Sequence, residues 1–214
     1  IQDSIISFYF YDHVLLNDTL KVKYFKYNYF KHKNNFTLGP FLWYVHMDSG
    51  VKGIRVRNFK NPLLDKDLNI NFFSYDSHMI IKAKFEKFSK PLVKNLKNIQ
   101  GGSFNDVIPG IIYFTFNNND YSLLPTIAPS GRFFIVFGDQ TNGNESYGGG
   151  RFLYINPPQK NGDIILEFNK AYNPPCVFST FTTCPIPSKD NILPFKVNAG
   201  EKNYNGILFS SVYQ

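Results

Sequence analysis

Hydrophobic and polar residues alternate along much of this chain, and the alternation predicts strands. Ile81, Ala83 and Phe85 interleave with Lys82, Lys84 and Glu86, the two-residue period of a strand with one face buried and the other in water. Phe41 to Met47, Gly53 to Arg57, Asn69 to Phe73, Ile111 to Phe116, Phe133 to Phe137 and Ile164 to Phe168 are further short runs rich in aromatic and β-branched residues. Turn chemistry separates them at Asn61-Pro62, Gly101-Gly102, Pro109-Gly110, Asn117 to Asp120, Ser130-Gly131 and Asn161-Gly162. A sustained i, i+3, i+4 pattern is scarce, and Leu92 to Ile99 has room for one or two helical turns. The pattern predicts an all-β fold, an antiparallel sandwich or distorted barrel with long loops and very little helix. No internal repeat or linker breaks it, so residues 1–214 read as a single β domain.

Composition agrees with sheet. The chain carries 23 Phe and 14 Tyr, residues that suit pleated, half-buried surfaces, and its 43% hydrophobic content is enough for a sizeable core. The net charge of +7 raises nucleic acid as a partner, but the distribution argues against it. Arg occurs only at 55, 57, 132 and 151, and the other basic residues are scattered lysines. Lys21, Lys23 and Lys26 alternate with Val22, Tyr24 and Phe25 as on the solvent side of a strand, and Lys31-His32-Lys33 runs into the turn-like Asn34-Asn35. No nucleic-acid motif accompanies the charge. No stretch approaches the ~20 apolar residues of a membrane span. A soluble, cytoplasmic chain is expected unless a targeting segment once preceded Ile1, which is not a Met.

The segment between Gly138 and Arg151 is Gly-rich and polar, and two readings of it stay open. In one, backbone N–H groups and Arg151 cradle a small polar or anionic ligand, with Asp139, Thr141, Tyr147 and Gly149 around it and Asn169, Tyr172, Asn173 and Glu201 lining the site. No Gly-Lys-Ser/Thr follows, so it is not a phosphate loop of the usual kind. In the other, it is a long connection whose glycines meet positive φ. A hydrolytic alternative makes Asp139 or Glu201 the base and Arg151 the charge stabiliser. An architectural alternative pairs Arg151 with Asp139 and encloses both. No catalytic set is recognisable, and no cofactor or metal is expected.

Cys176 and Cys184 are the only cysteines. Their spacing suits a loop-closing disulfide; inert buried thiols and a metal or nucleophile remain alternatives. A zinc site is poorly supported, since no His follows His78 and His46 and His78 each lie in a strand-like run.

The stretch from Phe137 to Leu153, FGDQTNGNESYGGGRFL, is followed by EFNKAYNPPC at 167–176, TCPIP at 183–187, Asn191 and AGEK at 199–202. This ordered series resembles domain-of-unknown-function family 1684. Gly53 to Arg57 and Ile81 to Phe85 are similar to weaker upstream features of that family. Glu167 stands where members usually carry Asp, and Lys170 where they often carry Arg. The part before about residue 50 is shorter than in full-length members, which implies a truncated N-terminal part. The resemblance brings no established activity with it.

Overall fold

The computed structural model describes residues 5–28, 31–48, 51–158 and 162–213. The chain divides into two compact units, Ile1–Lys66 and Asp67–Gln214. No α-helix occurs among the described residues, and helical structure is confined to short 3₁₀ turns. The expected all-β class is therefore what forms.

The first unit is one antiparallel sheet of β1 (Ile5–Leu16), β2 (Leu20–Asn28), β3 (Asn35–Leu38), β4 (Phe41–Asp48) and β5 (Val51–Asn58), in the order β2-β1-β3-β4-β5. Asn17 and Asp18 turn the chain between β1 and β2 at φ 49° and 59°. Asn and Asp tolerate that left-handed backbone better than other side chains do. Alternation in the strands gathers aromatic rings around the fully buried Phe36, with Phe8, Phe10, Phe25 and Trp43 within 5.2–6.0 Å of it, centroid to centroid.

The second unit contains two antiparallel sheets. One comprises β6 (Ile80–Lys97), β7 (Ser103–Phe116), β8 (Asn119–Leu123) and β12 (Gly162–Glu167), ordered β12-β6-β7-β8. The other comprises β9 (Thr126–Ile127), β10 (Phe133–Phe137) and β11 (Arg151–Ile155), ordered β11-β10-β9. Neither closes into a barrel; they share one core in sandwich fashion. Ile81, Ala83 and Phe85 of β6 meet Phe133, Ile135 and Phe137 of β10 in a single buried cluster, with the Phe85 and Phe133 rings 4.7 Å apart. Asn117-Asn118, at φ 49° and 60°, forms the two-residue turn from β7 to β8.

Three local expectations are corrected. Leu92 to Ile99 is not helical: β6 runs to Lys97 and pairs with β7 as far as Lys97↔Ser103. Pro109-Gly110 is not a turn but lies inside β7, where Gly110 faces Lys87 at the point at which register slips before Leu92. A Cβ on Gly110 would stand 2.2 Å from the Glu86 carbonyl oxygen, so the glycine permits a close strand crossing. Asn69 to Phe73 is not a strand of either sheet; its backbone pairs with the chain end instead, through Phe73 N–H to Gly200 O and Lys202 N–H to Asn71 O.

Candidate functional site

Arg151 opens β11, and the Gly-rich connection from β10 returns beside it. The side chain is fully buried. Its Nη2 donates to Asp139 Oδ2 at 2.8 Å and to the Val197 carbonyl at 2.7 Å, and its Nη1 donates to the Ala199 carbonyl. The rings of Phe73 and Phe137 each lie 5.5 Å from the guanidinium carbon, a geometry that favours a cation. Burial draws the Arg151 pKa down, and the Asp139 charge opposes that. Asp139 is equally enclosed and also accepts from Thr141 N–H at 2.8 Å and Val197 N–H at 3.2 Å.

Side chains within the connection brace much of the rest of it. Thr141 Oγ1 and Ser146 Oγ share a hydrogen bond at 2.6 Å, and Asn142 Nδ2 donates to Ser146 Oγ and to the Tyr147 carbonyl. Gly150, at φ +86°, lets Pro187 and the Phe137 carbonyl approach. Gly149 leaves room for the Tyr147 ring, whose nearest carbon would stand 2.5 Å from a Cβ there. Asn173 N–H donates to Glu201 Oε2 at 2.8 Å, and Asn173 Nδ2 donates to the Lys202 carbonyl. Burial raises the Glu201 pKa, while the Asn173 bonds and Arg151 pull it back.

Asp139, Thr141, Arg151, Asn173 and Glu201 thus belong to one connected knot, as the sequence grouping suggested. What differs is access. An external anion cannot reach a guanidinium whose two terminal nitrogens are committed to internal acceptors. The Asp139 carboxylate, with no exposed surface, is likewise no accessible base. Asn169 and Tyr172 serve elsewhere. Asn169 exchanges two bonds with the Asp76 backbone, and Tyr172 pairs its backbone with Phe152 at the edge of β11. Glu145 binds Lys196, and Glu167 binds Lys170. His78 lies in a 3₁₀ turn, not a strand, bonded to Asp76; His46, in β4, contacts Arg55 at 3.2 Å. No cluster of metal-binding side chains occurs among the described residues.

A cavity of about 250 Å³ lies at a different place in the same unit. Beyond the register slip, β6 and β7 continue as a two-stranded arm, and its Leu96, Phe104 and Ile108 face Phe134 and Val136 of β10 across this space. Phe133, Ile135 and Phe137 point to the core, so alternation sends Phe134 and Val136 to the opposite face. Pro185 and Ile186 join Asp106, Leu124 and Thr126 in the wall, and Ile186 N–H is anchored to the Lys97 carbonyl at 3.0 Å. Lys94, on the arm, pairs with Asp190, whose carboxyl is held below its usual range by that bond. Sequence reasoning missed this site. One signal existed: the run Phe133 to Phe137 is apolar on both faces, which marks a strand covered on both sides.

Asn191 holds the cavity wall. Its Nδ2 donates to the Leu124 and Val136 carbonyls at 3.0 and 2.9 Å, and its Oδ1 accepts from Leu124 N–H at 2.8 Å. Asn191→Ala is expected to cost about 2–3 kcal/mol, since buried backbone groups lose their partners. Urea denaturation of the variant measures this.

No described helix is long and apolar enough to cross a membrane. No curated protein matches the chain. Among solved structures it is similar to an uncharacterized protein of Haloarcula marismortui determined by solution NMR, at 26% identity and a TM-score of 0.52, over 62% of this chain and 75% of that one. The family model described as "Protein of unknown function (DUF1684)" matches residues 68–202, nearly the span of the second unit and without Gly53 to Arg57. The chain belongs to that family.

Proposed function

We propose that the second unit is a non-catalytic binding domain whose ligand is a small, mainly aliphatic molecule with a modest polar end, held between the β6–β7 arm and the outer face of β10. The cavity of about 250 Å³ carries this reading. It exceeds the ~150 Å³ of an engineered apolar cavity that stays dry and takes up benzene, and it falls just below the ~300–1,000 Å³ of drug-sized sites.

The chemistry of the lining supports an apolar occupant. Leu96, Phe104, Ile108, Phe134 and Val136 offer hydrocarbon. The buried polar side chains among them are already used: Asn191 holds backbone, and Thr126 Oγ1 donates to the Phe134 carbonyl at 3.4 Å. The half-buried Asp106, which accepts from Val107 N–H, also lines the space, so a ligand meets one carboxylate beside mostly hydrocarbon. Lys94 and Ser188 both contact the half-exposed Asp190, which marks the solvent side, so a hydroxyl or similar group fits there. The expected small polar or anionic ligand at the Gly-rich connection is less well supported, because Arg151 has no exposed surface.

Isothermal calorimetry with octanol as the probe tests the proposal. The wild-type chain is expected to bind. Val136→Phe, which fills the cavity while keeping the backbone acceptor for Asn191, is expected to weaken binding by at least about tenfold. Failure of the wild type to bind octanol, or equal binding by both proteins, overturns it.

A further inference from the structure

The second unit also brings its two cysteines together in a way the binding site does not use. Cys176 N–H donates to Cys184 Sγ at 3.1 Å, and Cys176 Sγ lies 3.6 Å from the Tyr147 hydroxyl. Exposure distinguishes the two residues. Cys184 is 2% exposed and its carbonyl is tied to Ile99 N–H, whereas Cys176 is half-buried at a 3₁₀ turn. The chain between them folds back on itself through Ser179 N–H to Pro175 O and Thr182 N–H to Ser179 O. Cys176 is thus the partly exposed residue of the pair and Cys184 the enclosed one.

We propose that Cys176 and Cys184 form a redox-active dithiol that exchanges with small-molecule disulfides, Cys176 attacking and Cys184 resolving. The Cys176 thiolate attacks one sulfur of the incoming disulfide. The S–S bond of that disulfide breaks, and the departing thiolate takes a proton from water. Cys184 then gives up its proton to solvent, and its sulfur attacks Cys176 Sγ in the mixed disulfide. The Cys176–Cys184 bond forms and the second small thiolate leaves. Two cysteine thiols are oxidised and one external disulfide is reduced to two thiols, so atoms and electrons balance.

The local electrostatics assign the same roles. A hydrogen bond from the Cys184 thiol, helped by the Tyr147 hydroxyl, holds Cys176 down to about 7 against the opposing effect of burial. The same contact and burial push Cys184 up. A thiolate available near neutral pH is the better attacking group, and Cys184 becomes reactive once its neighbour is in a mixed disulfide. Tyr147 is a positioning residue here, set in place by the Gly149 backbone that its ring overlies.

The test exposes the full chain to oxidised glutathione at neutral pH, quenches with acid, alkylates and weighs the peptides. Wild type is expected to lose two hydrogens and both alkylation sites. Cys184→Ser is expected to retain glutathione on Cys176, and Cys176→Ser to keep Cys184 as a free thiol. Two alkylated cysteines in treated wild type overturn the proposal, and that outcome requires no variant to fold. So does glutathione on Cys184 of Cys176→Ser at the wild-type rate. Octanol binding plays no part in this readout, so the two proposals fail independently.

Discussion

Arg151→Ala is expected to destabilise the second unit by about 3–5 kcal/mol, the cost of breaking a buried ion pair from one side. The substitution leaves the Asp139 carboxylate enclosed without its cation. It also strips the carbonyls of Val197 and Ala199 of their donor and empties the space between the Phe73 and Phe137 rings. Arg151→Lys is expected to recover only part of this loss, since one ammonium cannot reproduce two terminal nitrogens aimed at separate acceptors. The single Trp of the chain, Trp43, lies in the first unit. Urea unfolding should therefore be followed through amide resonances of β10 and β11 and not by indole fluorescence. A loss below about 1 kcal/mol would place Arg151 among ordinary surface substitutions and contradict the enclosed knot.

The second large effect is expected at Gly200. Its φ is +76°, and a Cβ there would stand 2.3 Å from the Ala171 carbonyl oxygen. That oxygen accepts from Glu201 N–H at 2.9 Å, and the Gly200 carbonyl accepts from Phe73 N–H at 2.9 Å. The backbone around it is therefore pinned on both sides and cannot easily move aside. Left-handed backbone costs a side chain about 1–2 kcal/mol, and the clash adds to it, so Gly200→Ala is expected to cost at least about 2 kcal/mol. Gly148→Ala is the control. Its nearest neighbour would be 3.6 Å from the new Cβ, an ordinary contact, and a change within about 0.5 kcal/mol is expected. Equal melting of the two variants would show that the knot does not depend on the Gly200 approach.

Much of the fold was legible because alternation is a local property. Ile81 to Phe85 and Phe133 to Phe137 are strands where the pattern placed them, and the Gly-rich segment does connect two apolar runs. Local reasoning failed where a distant partner decides the outcome. Asn69 to Phe73 has strand-like residues, but its bonds go to the chain near Gly200. Pro109-Gly110 has turn composition, yet the long β6 partner holds it inside a ladder.

The site follows the same division. Asp139, Arg151, Asn173 and Glu201, which the sequence reading placed around one ligand, are joined by hydrogen bonds to one another. Whether Arg151 faces solvent or the interior depends on carbonyls of the 197–201 segment, some fifty residues later, and no short-range pattern encodes that choice. The cavity was illegible because its lining comes from four strands and the 185–191 loop. Leu96, Phe104 and Ile108 look locally like the ordinary alternate face of a strand.

The central claim is that the ligand site lies on the outer face of β10 and not at the Gly-rich connection. Octanol titration of isotope-labelled protein, followed by methyl and amide NMR shifts, tests it most directly. The account predicts saturable shifts in the methyls of Leu96, Ile108 and Val136, with the amides of Tyr147 to Arg151 unmoved. Shifts centred on Tyr147 to Arg151, with those methyls unchanged, would contradict it and return the site to the loop.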